Sequence, residues 1–291
     1  DFLTPTTLSM VEIGQKPQKL KSMPAFFKAD GLATEQQFAT SKDGTKVPYF
    51  IVRPTFLPLD GSTPTLLWGY GGFEVSYTAA YNSMAGRGWL QQGGVFVLAN
   101  IRGGGEYGPR WHQAALKANR HKAYEDFAAV AEDLFAREIT SPARLGAQGG
   151  SNGGLLMGNM VVQYPQLFGA IVCQVPLLDM KRYSHLLAGA SWMAEYGDPD
   201  TRDWEFIKTF SPYHLLKEGV EYPPVLFTTS TRDDRVHPGH ARKMMAKMEA
   251  MNADVRYYEN IEGGHGGAAN NQQEAHMRAL AYTFLWQQLR K

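Results

Sequence analysis

The stretch GAQGGSNGGLLMG, residues 146 to 158, sets one serine hydroxyl among four glycines and then runs into apolar residues. Clusters of Gly and Ser are usually surface loops. A loop or linker would continue into polar sequence, whereas Ser151 is followed by LLMGNMVVQYP, which reads as a helix. The pattern Gly149-Gly150-Ser151-Asn152-Gly153 then fits G-x-S-x-G, the strained bend between a strand and a helix that holds a serine out as a nucleophile. That bend dictates its surroundings: a strand must end just before Ser151 and a helix must start just after it.

Short runs of apolar or small residues supply such strands: TLLWGY (65 to 70), GVFVLAN (94 to 100), RLGAQG (144 to 149), GAIVCQV (169 to 175) and PVLFTTS (224 to 230). Runs of this kind suit strands buried on both faces. Helical patterns alternate with them, over 123 to 139, 238 to 252 and 271 to 291. The alternation predicts an α/β fold of the α/β-hydrolase kind, a mostly parallel sheet flanked by helices. In HARKMMAKMEAM the methionines recur at helical spacing, which predicts a core-facing stripe. Upstream, EQQFATS and KVPYFIVRP flank Asp43-Gly44 and read as a hairpin. Residues 3 to 12 read as one strand with no nearby partner, and residues 14 to 24 as a connector containing lysine and proline. The expected division is an appendage over 1–25 and one catalytic domain over 26–291, because α/β units of such length are common.

Composition excludes several classes. Lysine and arginine number 29 against 28 acidic residues, and a net charge of +1 gives no general drive toward nucleic acid or an anionic membrane. No run of 18 apolar residues is present, and the first residues have neither a basic segment nor an apolar one of the signal type. A soluble protein is expected, cytoplasmic or periplasmic. Cys173 is alone, which rules out an internal disulfide framework and a multi-cysteine zinc site. No histidine pair is read as a metal site, so neither metal nor cofactor is expected. NIRGGGEYG (100 to 108) lacks the lysine and the glycine spacing of a phosphate loop and reads as a structural turn.

A serine hydroxyl is a weak nucleophile near neutral pH and needs a base, which in turn needs an orienting group. On α/β-hydrolases these follow in the order serine, acid, histidine. Here FTTSTRDDRVHPGH puts Asp233 and Asp234 just past an apolar strand, and IEGGHGGAAN puts His265 in a glycine-rich loop after the strand DVRYYEN. Loops at the carboxyl ends of parallel strands are where such sheets gather their sites. Singly, each piece reads as an ordinary loop or solvated turn; the joint order is what points to a triad. An oxyanion hole would draw one donor from the Asn152 N–H and a second from LLWGYGGFEVS, either a backbone N–H or the Tyr70 hydroxyl.

GYGGF, NIRGGGEYG, GGSNGG, DDRV and GGHGG occur in the order of one family's signatures, and from roughly residue 25 to 291 the chain resembles the prolyl oligopeptidases. These are serine peptidases whose α/β-hydrolase domain is capped by a β-propeller. The resemblance implies Ser151, Asp233 and His265 as the triad, Tyr70 and Asn152 as the oxyanion hole, and Arg235 as the holder of a peptide carbonyl. GASWMAEYG (189 to 197) resembles the segment that stacks an indole on proline, implying Trp192 and Tyr196 as carriers with Phe73, Val175 and Val236 lining the pocket. A flat apolar ring without an N–H is well matched by an aromatic face. The implied activity is endopeptidase cleavage of short peptides on the carboxyl side of proline; another P1 preference or a carboxylesterase are the alternatives. The family's propeller has no counterpart here, and residues 1–25 resemble its final strand plus the linker. The chain is therefore expected to be the catalytic portion of a longer protein, with the remaining propeller as its partner.

Overall fold

A computed structural model describes residues 1–290. Among these, β1 (Thr7–Met10) and β2 (Gln18–Ser22) form a separate antiparallel ribbon. The main sheet has eight strands: β3 (Leu32–Thr40), β4 (Lys46–Pro54), β5 (Thr65–Gly69), β6 (Val95–Ala99), β7 (Leu145–Gly150), β8 (Ala170–Gln174), β9 (Val225–Ser230) and β10 (Val255–Asn260). Their order is β10-β9-β8-β7-β5-β6-β4-β3, parallel from β10 to β6, with β4 and β3 antiparallel at one edge. The longer helices are α1 (His121–Ala136), α2 (Asn152–Gln163), α3 (Gly239–Ala250) and α4 (Asn271–Leu289). This is the α/β-hydrolase architecture that the alternating pattern predicts.

Successive strand residues face opposite sides of a sheet, and here each side has its own core. Leu67, Val97, Ile171 and Phe227 pack with Val130 of α1, Leu155 of α2 and Met244 and Met248 of α3. Leu66, Leu98, Val172 and Leu226 pack on the other side with Trp89 and with Phe284 and Leu285 of α4. The methionine stripe of α3 accordingly faces the core. Cys173 points into the first core, its thiol on the Gly154 carbonyl at 3.3 Å, and burial pushes its pKa up.

The turn at NIRGGGEYG is held by charge. Arg102 is buried and pairs with Asp126 of α1 at 2.6 Å and with Asp43 of the β3–β4 turn at 2.6 Å, joining hairpin tip to helix. The guanidinium holds the Asp43 carboxyl well below the usual carboxylate range.

The first residues depart from expectation. Residues 3 to 12 are not an unpaired strand, since β1 finds its partner β2 inside the stretch read as a connector, with a bulge at Leu8/Ser9. Every residue of both strands is exposed, so the pairing rests on backbone hydrogen bonds and one bond between the Thr7 and Ser22 hydroxyls at 3.0 Å, and left no apolar alternation to read. A two-stranded ribbon is marginal alone. Aromatic residues on either side of it provide the anchor: Phe2 lies in the second core against Phe50 and Phe96, and Phe27 stacks on Tyr81 with centroids 5.3 Å apart. Phe2→Ala is expected to lower stability by about 3 kcal/mol, read from the urea midpoint, whereas Ile13→Ala on the exposed ribbon turn should leave that midpoint unchanged. Equal effects would show that the ribbon is not tied down through Phe2.

Candidate active site

The strand order reverses where β5 lies between β6 and β7, because the chain runs outward to β6 and then returns to the other flank of β5. At such a switch point the loops leaving adjacent strands diverge and open a crevice at the carboxyl ends. Ser151 follows β7 and Tyr70 follows β5, so both stand at that crevice.

Ser151 has φ 60° and ψ −114°, a backbone conformation costly for a residue with a side chain. Its neighbours explain how α2 can start so abruptly. A Cβ on Gly149 would lie 2.5 Å from the Gly153 carbonyl oxygen, and one on Gly154 would lie 2.6 Å from Pro176. Only glycine lets strand and helix approach this closely. The Ser151 N–H donates to the Gln174 carbonyl at 2.9 Å, tying the bend to β8. As the first residue of α2, Asn152 presents a backbone N–H with no acceptor among the described residues, the normal state of a helix start.

His265 Nδ1 lies 2.8 and 3.0 Å from the two carboxylate oxygens of Asp233. The Asp233 side chain is fully buried, and its Oδ1 also accepts the N–H groups of Arg235 and Val236 at 2.9 Å each. Asp234 is exposed and makes no such contact. The glycine-rich loop carrying His265 is shaped from below: Asn260 Oδ1 accepts from the Glu262 and Gly263 amides, and the Ser230 hydroxyl donates to the Gly263 carbonyl.

Tyr70, Ser151, Arg235 and His265 line a cavity of about 200 Å³ together with Phe73, Leu177 and Trp192. The same four, with Val175, line an adjoining cavity of about 290 Å³. Burial raises the pKa of the Tyr70 phenol against the opposing charges of Arg120 and Arg235. Tyr196 and Val236 line neither cavity. Tyr196 is fully buried behind Phe73, its ring edge-on at 5.6 Å, and its hydroxyl donates to Asn152 Oδ1 at 2.7 Å. Val236 is part of the first core.

Three polar residues at the site went unread in the sequence. Arg120 is 1% exposed; it donates to Asn152 Oδ1, to the Gly71 carbonyl and to Glu195, which is itself 4% exposed. His112 bonds to the other oxygen of Glu195. Glu195 could have been suspected, as the one charge inside SWMAEYG; nothing around Arg120 in ANRHKAY distinguishes it from a surface cation. Among the described residues no cluster of three or more His, Cys, Asp or Glu side chains could hold a metal ion, and no helix is long and apolar enough to cross a membrane.

A serine on the bend after a central parallel strand shares its cavity with a histidine from a later loop, and that histidine is bonded to a buried carboxylate; this arrangement is of the α/β-hydrolase kind. The model of the prolyl oligopeptidase family matches residues 81–291, and the chain belongs to that family of serine-type peptidases. It is 53% identical over 290 residues to an uncharacterized peptidase of Sinorhizobium fredii, covering 99% of this chain and 40% of that protein. A prolyl endopeptidase of Elizabethkingia miricola is 37% identical over 279 residues, which are 94% of this chain and 39% of that protein. The solved structure of a post-proline cleaving enzyme from Rickettsia typhi superposes with a TM-score of 0.92 at 41% identity, over 99% of this chain and 42% of its own. The chain thus spans about two fifths of the length of the relatives it matches.

The conformation of Ser151 generates a stability test. Glycine normally costs about 0.5–1 kcal/mol relative to alanine, but here it would relieve a strain of about 1–3 kcal/mol. Ser151→Gly should therefore unfold at higher denaturant than Ser151→Ala by about 1 kcal/mol. An alanine variant that is equally or more stable would mean the bend is unstrained.

Proposed function

We propose that the chain carries the catalytic apparatus of a peptidase that cleaves short peptides after proline through an acyl-enzyme. The observation that carries this reading is the single cavity in which Ser151, His265 and Tyr70 meet an apolar wall of Phe73, Leu177 and Trp192. Ser151 Oγ attacks the scissile carbonyl while His265 Nε2 takes its proton. Asp233, bonded to Nδ1, keeps the imidazole in that tautomer and offsets its charge once protonated. The oxyanion receives the Tyr70 hydroxyl and the Asn152 N–H, donors already fixed before charge develops. His265 then protonates the leaving amine, and water attacks the acyl-enzyme by the reverse sequence.

Proline suits the apolar wall because its ring has no N–H to leave unpaired. Trp192 offers the stacking face, with Tyr196 supporting Phe73 from behind rather than touching substrate. Arg235, exposed at the mouth of both cavities, is available to a carbonyl of the bound peptide. The names of the relatives, prolyl endopeptidase and post-proline cleaving enzyme, support the same specificity. We further read the chain as one part of a longer polypeptide, with residues 1–25 belonging to a propeller and its linker, and with the propeller restricting access to short peptides.

In the full-length protein carrying this chain, Ser151→Ala or His265→Ala should each remove nearly all hydrolysis of a blocked Gly-Pro anilide, and the double variant should lose little more, because the two act as a unit. Asp233→Asn should cost up to about 10⁴-fold in kcat and Asp234→Asn far less. Full turnover in Ser151→Ala would end the proposal, and hydrolysis of a short acyl ester but no anilide would favour an esterase.

Specificity is tested separately. Trp192→Ala should weaken kcat/KM for Gly-Pro over Gly-Ala substrates by about 0.5–1.5 kcal/mol beyond the loss of buried area. An equal loss on both substrates would make Trp192 a packing residue.

A further inference from the structure

Phe73 and Glu74 have φ values of 56° and 57°, a left-handed conformation that residues with side chains resist. Two such residues in succession need holding in place. The Phe73 N–H donates to Glu195 Oε1 at 2.9 Å, across 122 residues of sequence. The same oxygen accepts Arg120 Nη1 at 2.9 Å, and Oε2 meets His112 Nε2 at 2.7 Å. From the other side of its fork, Arg120 Nη2 reaches the Gly71 carbonyl at 2.8 Å and Asn152 Oδ1 at 2.5 Å. Asn152 Nδ2 closes the ring on the Tyr70 carbonyl at 2.6 Å.

One ion pair therefore grips three segments: the 70–74 loop, the first turn of α2 and the helical turn at 193–196. The first two carry the proposed oxyanion donors; the 70–74 loop also supplies one face of the pocket through Phe73, and Trp192 adjoins the 193–196 turn. Resting on the peptidase reading above, we propose that the buried Arg120–Glu195 pair is a positioning unit for catalysis, setting the spacing between the oxyanion donors and the wall that receives the proline ring. Neither residue touches substrate. A displacement of about 1 Å at such a distance from the chemistry can cost about 10²-fold in rate.

The opposing view is that the pair is structural glue. Buried ion pairs often contribute little net stability and can be exchanged for apolar residues, whereas removing one partner strands a buried charge. The double variant Arg120→Met/Glu195→Leu strands none and separates the two views. Arg120→Lys keeps the charge but cannot fork to both Glu195 and Asn152.

The test uses the full-length protein. A fluorophosphonate probe, taken to completion, counts reactive serines, and kcat and KM per reactive site are then measured on blocked Gly-Pro and Gly-Ala anilides. A positioning role predicts that the double variant labels fully, loses about 10²-fold in kcat on Gly-Pro, and loses most of its preference for Gly-Pro over Gly-Ala. Arg120→Lys should fall between the double variant and the parent. A double variant within twofold of the parent in kcat and in preference would overturn the proposal. If the double variant fails to fold, Glu195→Gln, nearly isosteric and neutral, decides by the same two readouts. A parent that neither labels nor cleaves would instead overturn the peptidase reading itself, and the positioning role with it.

Discussion

The close approach of β7 and the start of α2 to their neighbours is the contact from which the rest of the site follows. Without a Cβ at Gly149 or Gly154, the helix begins one residue after the strand ends, and the bend between them has room for Ser151 only in a costly conformation. That cost is offset by α2 itself, in which residues 152 to 161 are all buried. The helix cannot swing away to relax the bend without opening the core on that side of the sheet.

Around this fixed point the labour is divided among different stretches of chain. The proposed nucleophile Ser151 comes from the bend after β7, the Tyr70 phenol from the end of β5, and the proposed acid Asp233 and base His265 from the loops after β9 and β10. The apolar wall comes mainly from the long excursion between β8 and β9, which carries Leu177 and Trp192. Strand ends in a hydrogen-bonded sheet hold their relative positions well, which suits groups that must meet within hydrogen-bond reach. The wall is not independent of them, because Glu195 of the 193–196 turn is bonded to the Phe73 N–H and, through Arg120, to Asn152.

How much of this was legible depended on whether a residue's role left a pattern nearby. The inner strands were legible because burial on both faces demands unbroken apolar runs, and the bend because glycines must crowd around it. Asp233 could be favoured over Asp234 only through family resemblance; geometry separates them, one buried on His265 and the other exposed. The β1–β2 ribbon was half missed, since every residue of QKLKS is exposed and the segment carries no apolar alternation. Tyr196 was read as a pocket residue through the resemblance of GASWMAEYG, but the short helix over Met193–Tyr196 turns it inward onto Asn152. Arg120 escaped altogether, because its partners Gly71, Asn152 and Glu195 are 32 to 75 positions away, and no local signal marks a contact of that range.

Cys173 has a practical bearing. It is the chain's one thiol, it faces the core against α2, and its burial keeps it protonated and shielded from solvent. Maleimide reagents, which need an accessible thiolate, should therefore find the native fold silent. A cysteine introduced on the exposed ribbon, and another beside the mouth of the cavity, would be the only reactive positions in this chain. A fluorophore pair or spin-label pair could then be attached to otherwise unaltered protein, so that movement of the ribbon relative to Ser151 becomes an observable distance.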